Sequence, residues 1–465
     1  MKTFLRRVLY SLGGLLVLLV LFHLVENWRG RRAWGAWQQE QEASGHAFTR
    51  ANFAPLPVPE AENFAAAPRI AAAATGTTPL LTLPANWPEG RLTGWQEGQR
   101  ADLEPFRAAF PNGDIEKGLE AYRGPLEDIA KAARRPSSRL LIDYARFPDL
   151  DVPNLLGFRA AGRMLQLRAL VALRDGRTED AFQDVTTLLL IIHHFEKEPI
   201  LLCQLLRLAL TGIALRPIWE GMDTHAWSDA QLSALQGLLA RENLLASLGK
   251  SWEVEQVAEG ALYARTADES LWSWTPYPRA YALGASRPAR AMAFLRHLAI
   301  PRGWILQNGV RAMRAIQVAA ADPLRSAVGR IDPRRQDEAL KALTEQGWNP
   351  YTFLASNLAP ALAEQNIRAA RYQAALDEVR IACELERYHR AHAAYPEQLT
   401  DLGKVLPNDV IGGEPLRYRR MQDGGYVLYS LGWNATDDGG SPGRGAHALR
   451  EGDWVWTIRG QSRLS

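Results

Sequence analysis

The sequence contains few of the features that identify a reaction. Its two cysteines, Cys203 and Cys383, are too few for a disulfide framework or a multi-cysteine metal ribbon, and a single bridge between them stays open. Lys and Arg number 54 against 51 Asp and Glu, so the net charge of +3 gives no reason to expect a nucleic-acid partner. The chain has no Gly-x-Ser-x-Gly, His-Glu-x-x-His, P-loop or dinucleotide-binding motif. These absences argue against an enzyme without excluding one.

Long uncharged apolar runs are also scarce, and the clearest one lies near the N-terminus. Residues 8–25 (VLYSLGGLLVLLVLFHLV) would cover roughly 27 Å as a helix, close to the hydrocarbon thickness of a bilayer. No small-x-small cleavage site follows, so we predict a retained signal-anchor rather than a cleaved signal peptide. Basic residues are equal in number on its two sides: Lys2, Arg6 and Arg7 precede it, and Arg29, Arg31 and Arg32 follow it.

The basic residues are balanced across the span and do not indicate its orientation. We therefore base the predicted orientation on the short tail that precedes it. We expect residues 1–7 in the cytoplasm and the bulk of the chain in the periplasm, in a single-pass protein of a bacterial inner membrane. A second apolar run, from Pro199 to Gly221, is interrupted by Gln204, Arg207 and Thr211. We predict a buried core helix there rather than a second span.

The remaining pattern predicts a mainly α protein that ends in a small α+β domain. Residues 26–100 are expected to form a juxtamembrane helix and a linker rich in Pro and Ala, either a tether or an irregular wrap. Residues 101–366 carry apolar side chains at three- and four-residue spacing, which predicts an α-helical domain. Within it, Gly176 indicates the turn of a helical hairpin, and the capping box Ser228–Gln231 indicates the start of a helix that runs to about Leu245.

Residues 367–465 are predicted to form the α+β domain. A long amphipathic helix runs from Ile367 to about His392, and strands at 416–420, 426–430 and 454–458 form a three-stranded antiparallel sheet. We expect four strand side chains to pack against this helix: Leu416, Tyr418, Val427 and Tyr429.

The last hundred residues, roughly, resemble the soluble domain of type II secretion pseudopilins. The resemblance rests on ALDEVRIACELERYHRAHAAYPEQLTDL, PLRYRR, GGYVLYSLGWNATDDGG and GDWVW. Because the anchor lacks the pseudopilin cleavage motif and lies more than three hundred residues away, incorporation into a pilus is not expected. Further segments are NWRGRRAW after the anchor, NFAAAP, PRGWILQN and DVIGGEPLRYRR. With them, most of the chain also resembles a group of uncharacterised membrane-anchored bacterial proteins, which brings no assigned activity.

The pseudopilin resemblance implies calcium in the loop after YSLG. The implied ligands are Asn434, Asp437, Asp438 and Asp453, with the Leu431 carbonyl as a further donor. Hard oxygen donors on a Gly-rich loop suit calcium. The alternative is a polar loop whose side chains bond their own backbone.

Two further clusters have both a functional and a structural interpretation. The aromatic side chains Trp272, Trp274, Tyr277 and Tyr281 form either a ligand surface or ordinary core and loop packing. Glu386, His389 and His392 share one helical face, but they make only one half of a di-metal site with no second copy, so we favour a structural role. The adjacent His193 and His194 point apart around a helix and predict no metal site.

These features together predict a membrane-anchored envelope protein that acts as a non-enzymatic interaction or scaffold module. We expect it to bind an unidentified envelope protein and to have a role related to secretion. The alternative is an envelope hydrolase or a carbohydrate- or peptide-binding protein that uses the aromatic region 270–303.

Overall fold

The computed structural model has the predicted architecture, a mainly α fold with an N-terminal apolar helix and a small C-terminal sheet. It describes residues 2–44, 54–90, 92, 95, 98–147, 150–268, 300–325, 329–345, 351, 353–445 and 448–460. The helices are α1 Lys2–Ala43, α2 Pro68–Ala74, α3 Glu104–Arg107, α4 Ile115–Glu120, α5 Arg123–Ala133, α6 Leu156–Arg174, α7 Thr178–His194, α8 Leu201–Asp223, α9 Asp229–Leu239, α10 Leu244–Asp268, α11 Arg302–Ile316, α12 Asp322–Arg325, α13 Pro333–Thr344 and α14 Phe353–His392. The strands are β1 Arg417–Arg420, β2 Tyr426–Ser430 and β3 Trp454–Ile458.

Local signals determine several of these boundaries. Gly176 adopts φ +74° between α6 and α7, the left-handed conformation that ends a helix and suits glycine. Ser228 accepts a hydrogen bond from the backbone of Gln231, whose side chain bonds back to Ser228, and this capping box begins α9. The predicted helix to about Leu245 is divided, because α9 ends at Leu239 and α10 begins at Leu244.

Helix α8 is the core helix that the interrupted apolar run predicted. Its length and hydropathy would suit a membrane span, yet 72% of its most apolar window is buried within the protein. The buried guanidinium of Arg207 pairs with Glu242 and donates to Ser247 at 2.7 Å. A buried cation with these partners belongs in a protein core rather than in lipid.

Residues 54–90 lie on the helical body as an irregular wrap. Phe64 and Ile70 are buried, and the Phe64 ring stacks on that of His194 with centroids 4.3 Å apart. The Asn63 side chain donates to the Arg139 carbonyl at 3.0 Å. This segment therefore contributes to the core beside α5 and α7.

The C-terminal sheet has the predicted strands in the order β1-β2-β3, all antiparallel. Two of the four expected contacts with the long helix, those of Val427 and Tyr429, are wrong. Tyr426 and Leu428 face the main core, whereas Val427 and Tyr429 form a separate cluster with Val455 on the other face. Successive side chains of a strand point to opposite faces, and because every residue of β2 is buried, its sequence does not distinguish the two.

The core is continuous between the helical part and the sheet. One cluster of buried side chains runs from Trp37 through α6, α8 and α14 to Ile458. Helix α14 begins at Phe353 and therefore crosses the predicted domain boundary at 366/367 without a break. It packs against α9, α10 and α11 and also against β2 and β3.

Candidate functional sites

Helix α1 has two halves in different surroundings. Residues 3–22 are exposed along their whole length, and an 18-residue window of the helix has a mean hydropathy of 2.4 with no part buried. From Glu26 onward the same helix packs on the body, where Trp37 and Gln41 are buried. The exposed half is long and apolar enough to cross a membrane and is compatible with an anchor.

Glu26 lies where the exposed half of α1 ends, and its buried carboxylate connects the helix to the body. Its Oε2 accepts hydrogen bonds from Trp304 Nε1 at 3.0 Å, Gln307 Nε2 at 3.3 Å and the Tyr351 hydroxyl at 3.2 Å. Its Oε1 accepts from Arg29 at 2.8 Å. A buried carboxylate requires partners of this kind, so the network holds the body on α1 directly after the apolar half ends.

Two glycines let the backbones of α1 and α11 touch at the same level. A Cβ atom at Gly30 would overlap the backbone of Gly303, and a Cβ atom at Gly303 would overlap the carbonyl oxygen of Glu26. The Gly303 amide also donates to the side-chain oxygen of Asn27 at 2.8 Å. The body is therefore held against α1 by direct backbone contact rather than by a linker.

Aromatic and basic side chains surround this junction. The rings of Phe22 and Trp304 meet edge to face at 5.7 Å. The guanidinium groups of Arg29 and Arg311 lie 5.6 and 5.4 Å from the centre of the Tyr351 ring. Side chains of these two kinds are typical of the interface between lipid and water.

The four predicted calcium ligands lie in one loop region, but their side chains have other partners. Asn434 donates to Asp438 at 2.8 Å, and Asp437 accepts from the Tyr429 hydroxyl at 3.0 Å. Asp453 is buried, and its Oδ2 accepts from the Gly440 amide at 2.7 Å. Its Oδ1 has no hydrogen-bond partner among the described residues, and burial raises the pKa of this carboxyl. Calcium binding at this loop stays a prediction.

The predicted aromatic surface of Trp272, Trp274, Tyr277 and Tyr281 lies outside the described residues, as do residues 269–299 in general.

Cys203 and Cys383 are both buried and free, so they do not form a bridge. His193 and His194 have separate partners: His193 contacts Glu242 at 3.0 Å, and His194 bonds the Ala133 carbonyl at 2.8 Å. Burial lowers the pKa of His194 to about 4, which keeps it neutral.

A cluster that the sequence predicted only in part, through the shared helical face of Glu386 and His389, forms where the turn after α8 meets the end of α14. His225 Nδ1 lies 2.8 Å from Glu386 Oε2, and Tyr395 donates its hydroxyl proton to the other oxygen of Glu386. The His389 ring stacks on His225 with centroids 4.7 Å apart and on Tyr395 at 4.6 Å. His392 is not part of the cluster and bonds the carbonyl of Tyr388.

The ionisable groups of this cluster influence one another. The hydrogen bond that His225 donates to Glu386 raises the pKa of His225, whereas burial and the nearby charge of His225 lower the pKa of His389. Within the described residues, His225, Glu386 and His389 are the three ligand-type side chains whose donor atoms lie within 4.8 Å of one another. Their two imidazole rings are parallel to within 8°, so the nitrogen lone pairs do not converge as a shared metal ion requires. The arrangement fits a charged hydrogen-bonded pair better than a metal centre.

Comparison with known proteins adds no relative to this description. No protein-family model, curated protein or solved structure matches the chain.

Proposed function

We propose that this protein is a membrane-anchored, non-enzymatic interaction module whose folded body is held against the bilayer. The observation that carries the proposal is the division of α1 into an exposed apolar half and a half that is part of the body. Because the Glu26 network follows the apolar half at once, the body would have a fixed position relative to the membrane. A fixed position suits a protein that presents a binding surface to another envelope component.

We place the body in the periplasm of a bacterial cell, with the anchor in the inner membrane, and we assign it a secretion-related role by its resemblance to pseudopilins. The periplasmic assignment is tested by fusing alkaline phosphatase or a fluorescent protein that folds only in the cytoplasm after Ser465. Phosphatase activity in the first fusion and no fluorescence in the second support it. The opposite pair of results would place the body in the cytoplasm.

The interaction role is tested by cross-linking in intact membranes and purification of the full chain. The matched control replaces residues 8–25 with an unrelated apolar span and keeps the body unchanged. A partner recovered in constant ratio with both chains binds the body, as the proposal expects. If neither chain, or only the chain with the native span, recovers a partner, the proposed role of the body is wrong.

Calcium binding in the loop 431–453 is a second proposal, favoured by the buried and unpartnered Oδ1 of Asp453. Calcium would supply a partner for this oxygen and would draw Asp437 and Asp438 toward it. We expect calcium, but not magnesium, to raise the melting temperature of the full chain, and Asp438→Asn to weaken the effect. An identical melting temperature with calcium and with a chelator would refute the proposal.

A further inference from the structure

A cavity of about 470 Å³ lies where α6, α8 and α14 meet, beneath the described residues 87–90, 92, 95 and 98–106, which we call the covering segment. Each helix lines it with side chains at helical spacing. Helix α8 contributes Leu205, Leu208 and Gly212, which form an apolar wall. The volume lies within the range of roughly 300–1,000 Å³ that is usual for small-molecule sites.

The segment over the cavity is aromatic and is fastened to α6. The rings of Trp87 and Phe106 meet edge to face at 5.0 Å, and both line the cavity. The carboxylate of Glu89 forms an ion pair with Arg163 of α6. The buried side chain of Gln166 donates to the carbonyl of Leu92 at 3.2 Å. These contacts hold an apolar cover above the apolar wall.

Three guanidinium groups line the same cavity, those of Arg159, Arg163 and Arg368, and its described lining contains no acidic side chain. Arg163 is paired with Glu89, whereas Arg159 and Arg368 form no ion pair with any residue that the structure describes. Guanidinium groups bind carboxylates and phosphates through paired N–H donors. The lining thus combines apolar area with three cations, of which Arg159 and Arg368 form no ion pair among the described residues.

The cavity has one end that is exposed to solvent and one end that is buried. Arg159 and Arg368 are exposed, whereas Leu208 and Phe106 are 5% and 0% exposed. Tyr372 lies between the two ends, and a Cβ atom at Gly212 would come within 2.7 Å of its hydroxyl oxygen. Gly212 therefore leaves room for this hydroxyl, and burial raises the pKa of Tyr372, so that it stays a neutral hydrogen-bond donor.

We propose that this cavity binds an amphipathic organic anion, a single carboxylate or phosphate joined to an apolar body. The anion lies at the solvent end between Arg159 and Arg368, and the apolar body lies against Leu208 and beneath Trp87 and Phe106. The anion also competes with Glu89 for Arg163, so that binding loosens the fastening of the cover. The proposal gives the anchored body a small-molecule ligand in addition to a protein partner.

The probe for the test is 11-(dansylamino)undecanoic acid, added to the full chain in nanodiscs of zwitterionic lipid. Its methyl ester has the same apolar body without the charge and serves as the ligand control. We expect saturable dansyl fluorescence with the acid and at least tenfold weaker binding of the ester. The double variant Arg159→Gln/Arg368→Gln should reduce the affinity for the acid by at least tenfold and leave the affinity for the ester unchanged. Equal binding of acid and ester, or no effect of this double variant, would overturn the proposal.

Two further variants separate the cavity from general surface charge. Arg241→Gln/Arg334→Gln removes two exposed arginines elsewhere and should not change the affinity for the acid. Ala209→Phe fills the cavity beside α8 and should abolish binding of the acid while the melting temperature shows that the chain is folded. Undiminished binding by a folded Ala209→Phe chain would contradict the site. Displacement by dodecyl phosphate alone would indicate a lipid-derived ligand, and displacement by 2-naphthoate alone would indicate a soluble aromatic acid.

Discussion

His225 has an unusual conformation and an important partner. Its φ of +50° lies in the left-handed region, which costs energy for a residue with a side chain, although His, Asn and Asp tolerate it better than most. The strained residue connects the turn after α8 to α14, because its ring bonds Glu386 and stacks on His389. The side chain of Glu386 is 3% exposed, so His225 supplies a hydrogen-bond partner that this buried carboxylate requires.

The stability that His225 contributes should depend on pH. Its pKa is raised in the folded state above the ordinary value of 6.5, mainly by the hydrogen bond that it donates to Glu386. The charged pair therefore contributes fully below about pH 6.5, and the contribution is lost as the pH rises through the raised pKa. We expect His225→Asn to lower the free energy of unfolding by about 1–3 kcal/mol at about pH 5 and by less at about pH 9, as measured by urea unfolding.

The other charged groups around His225 are the same in the wild type and in His225→Asn. Asp223 also favours the protonated form, whereas Arg390 and a protonated His389 disfavour it, and the neutral Tyr395 bonds Glu386. Asparagine suits the left-handed backbone, so the variant tests the side chain rather than the turn. His392→Asn, one turn beyond His389, is the control and should show little change. A difference between wild type and His225→Asn that grows with rising pH would contradict the assignment.

At the scale of elements, α1 and α11 cross with their backbones in contact at Gly30 and Gly303, so neither position should tolerate a side chain. A methyl group at Gly303 would overlap the backbone oxygen of Glu26, and backbone cannot move aside as a flexible side chain can. We expect Gly303→Ala to lower the free energy of unfolding by about 1–3 kcal/mol, as overpacking does in well-packed cores. Chemical unfolding of the full chain in detergent, followed by tryptophan fluorescence, measures it.

Gly35 provides the matched control on α1 itself. Nothing lies within 4 Å of a Cβ atom built there, and alanine is the better helix former. Gly35→Ala should leave the free energy of unfolding unchanged or raise it by up to about 1 kcal/mol. Equal stability of the two variant chains would mean that the close contact between α1 and α11 is absent.

The elements that could be predicted from sequence are those specified by local signals. Ser228 and Gln231 determine the start of α9 within one turn, and the strands alternate with glycine turns, so both were predicted. The Glu26 network and the partner of Glu386 could not be predicted, since Trp304 and His225 lie 278 and 161 residues away in the chain. The inner face of β2 could not be predicted either, because it is apolar on both faces.

At the scale of the whole molecule, Arg371 joins parts of the chain that the sequence analysis separated. Its guanidinium lies 4.8 Å from the ring centre of Trp95 in the covering segment and 5.7 Å from that of Trp454 in β3. Its NH1 atom is 3.6 Å from Glu378 Oε2, and both side chains are buried. The covering segment, the helical part and the sheet therefore share one core contact.

Loss of this cation should destabilise the whole chain. Burial raises the pKa of Glu378, and Arg371 is the cation that opposes this shift. Arg371→Gln removes it, and loss of one partner of a buried pair costs about 3–5 kcal/mol. Unfolding should remain a single transition at lower denaturant, seen alike by circular dichroism of the helices and by tryptophan fluorescence. Arg368→Gln, on an exposed position of the same helix, is the control and should shift stability by no more than about 0.5 kcal/mol. Two separate transitions in Arg371→Gln would show that the helical part and the sheet fold independently.

The two halves of α1 should respond differently to deletion. Residues 3–22 make an exposed apolar surface that requires lipid or another cover, while residues 26–43 bury Glu26, Trp37 and Gln41 in the body. A chain without residues 2–21 should leave the membrane fraction and keep the melting temperature of the full chain. A chain without residues 2–43 should aggregate or melt much lower, since a buried tryptophan alone contributes about 3–5 kcal/mol of a total stability of about 5–15 kcal/mol. If the chain without residues 2–21 stayed in the membrane fraction, another surface would have to bind lipid. If the chain without residues 2–43 melted at the same temperature as the chain without residues 2–21, residues 26–43 would not belong to the folded body.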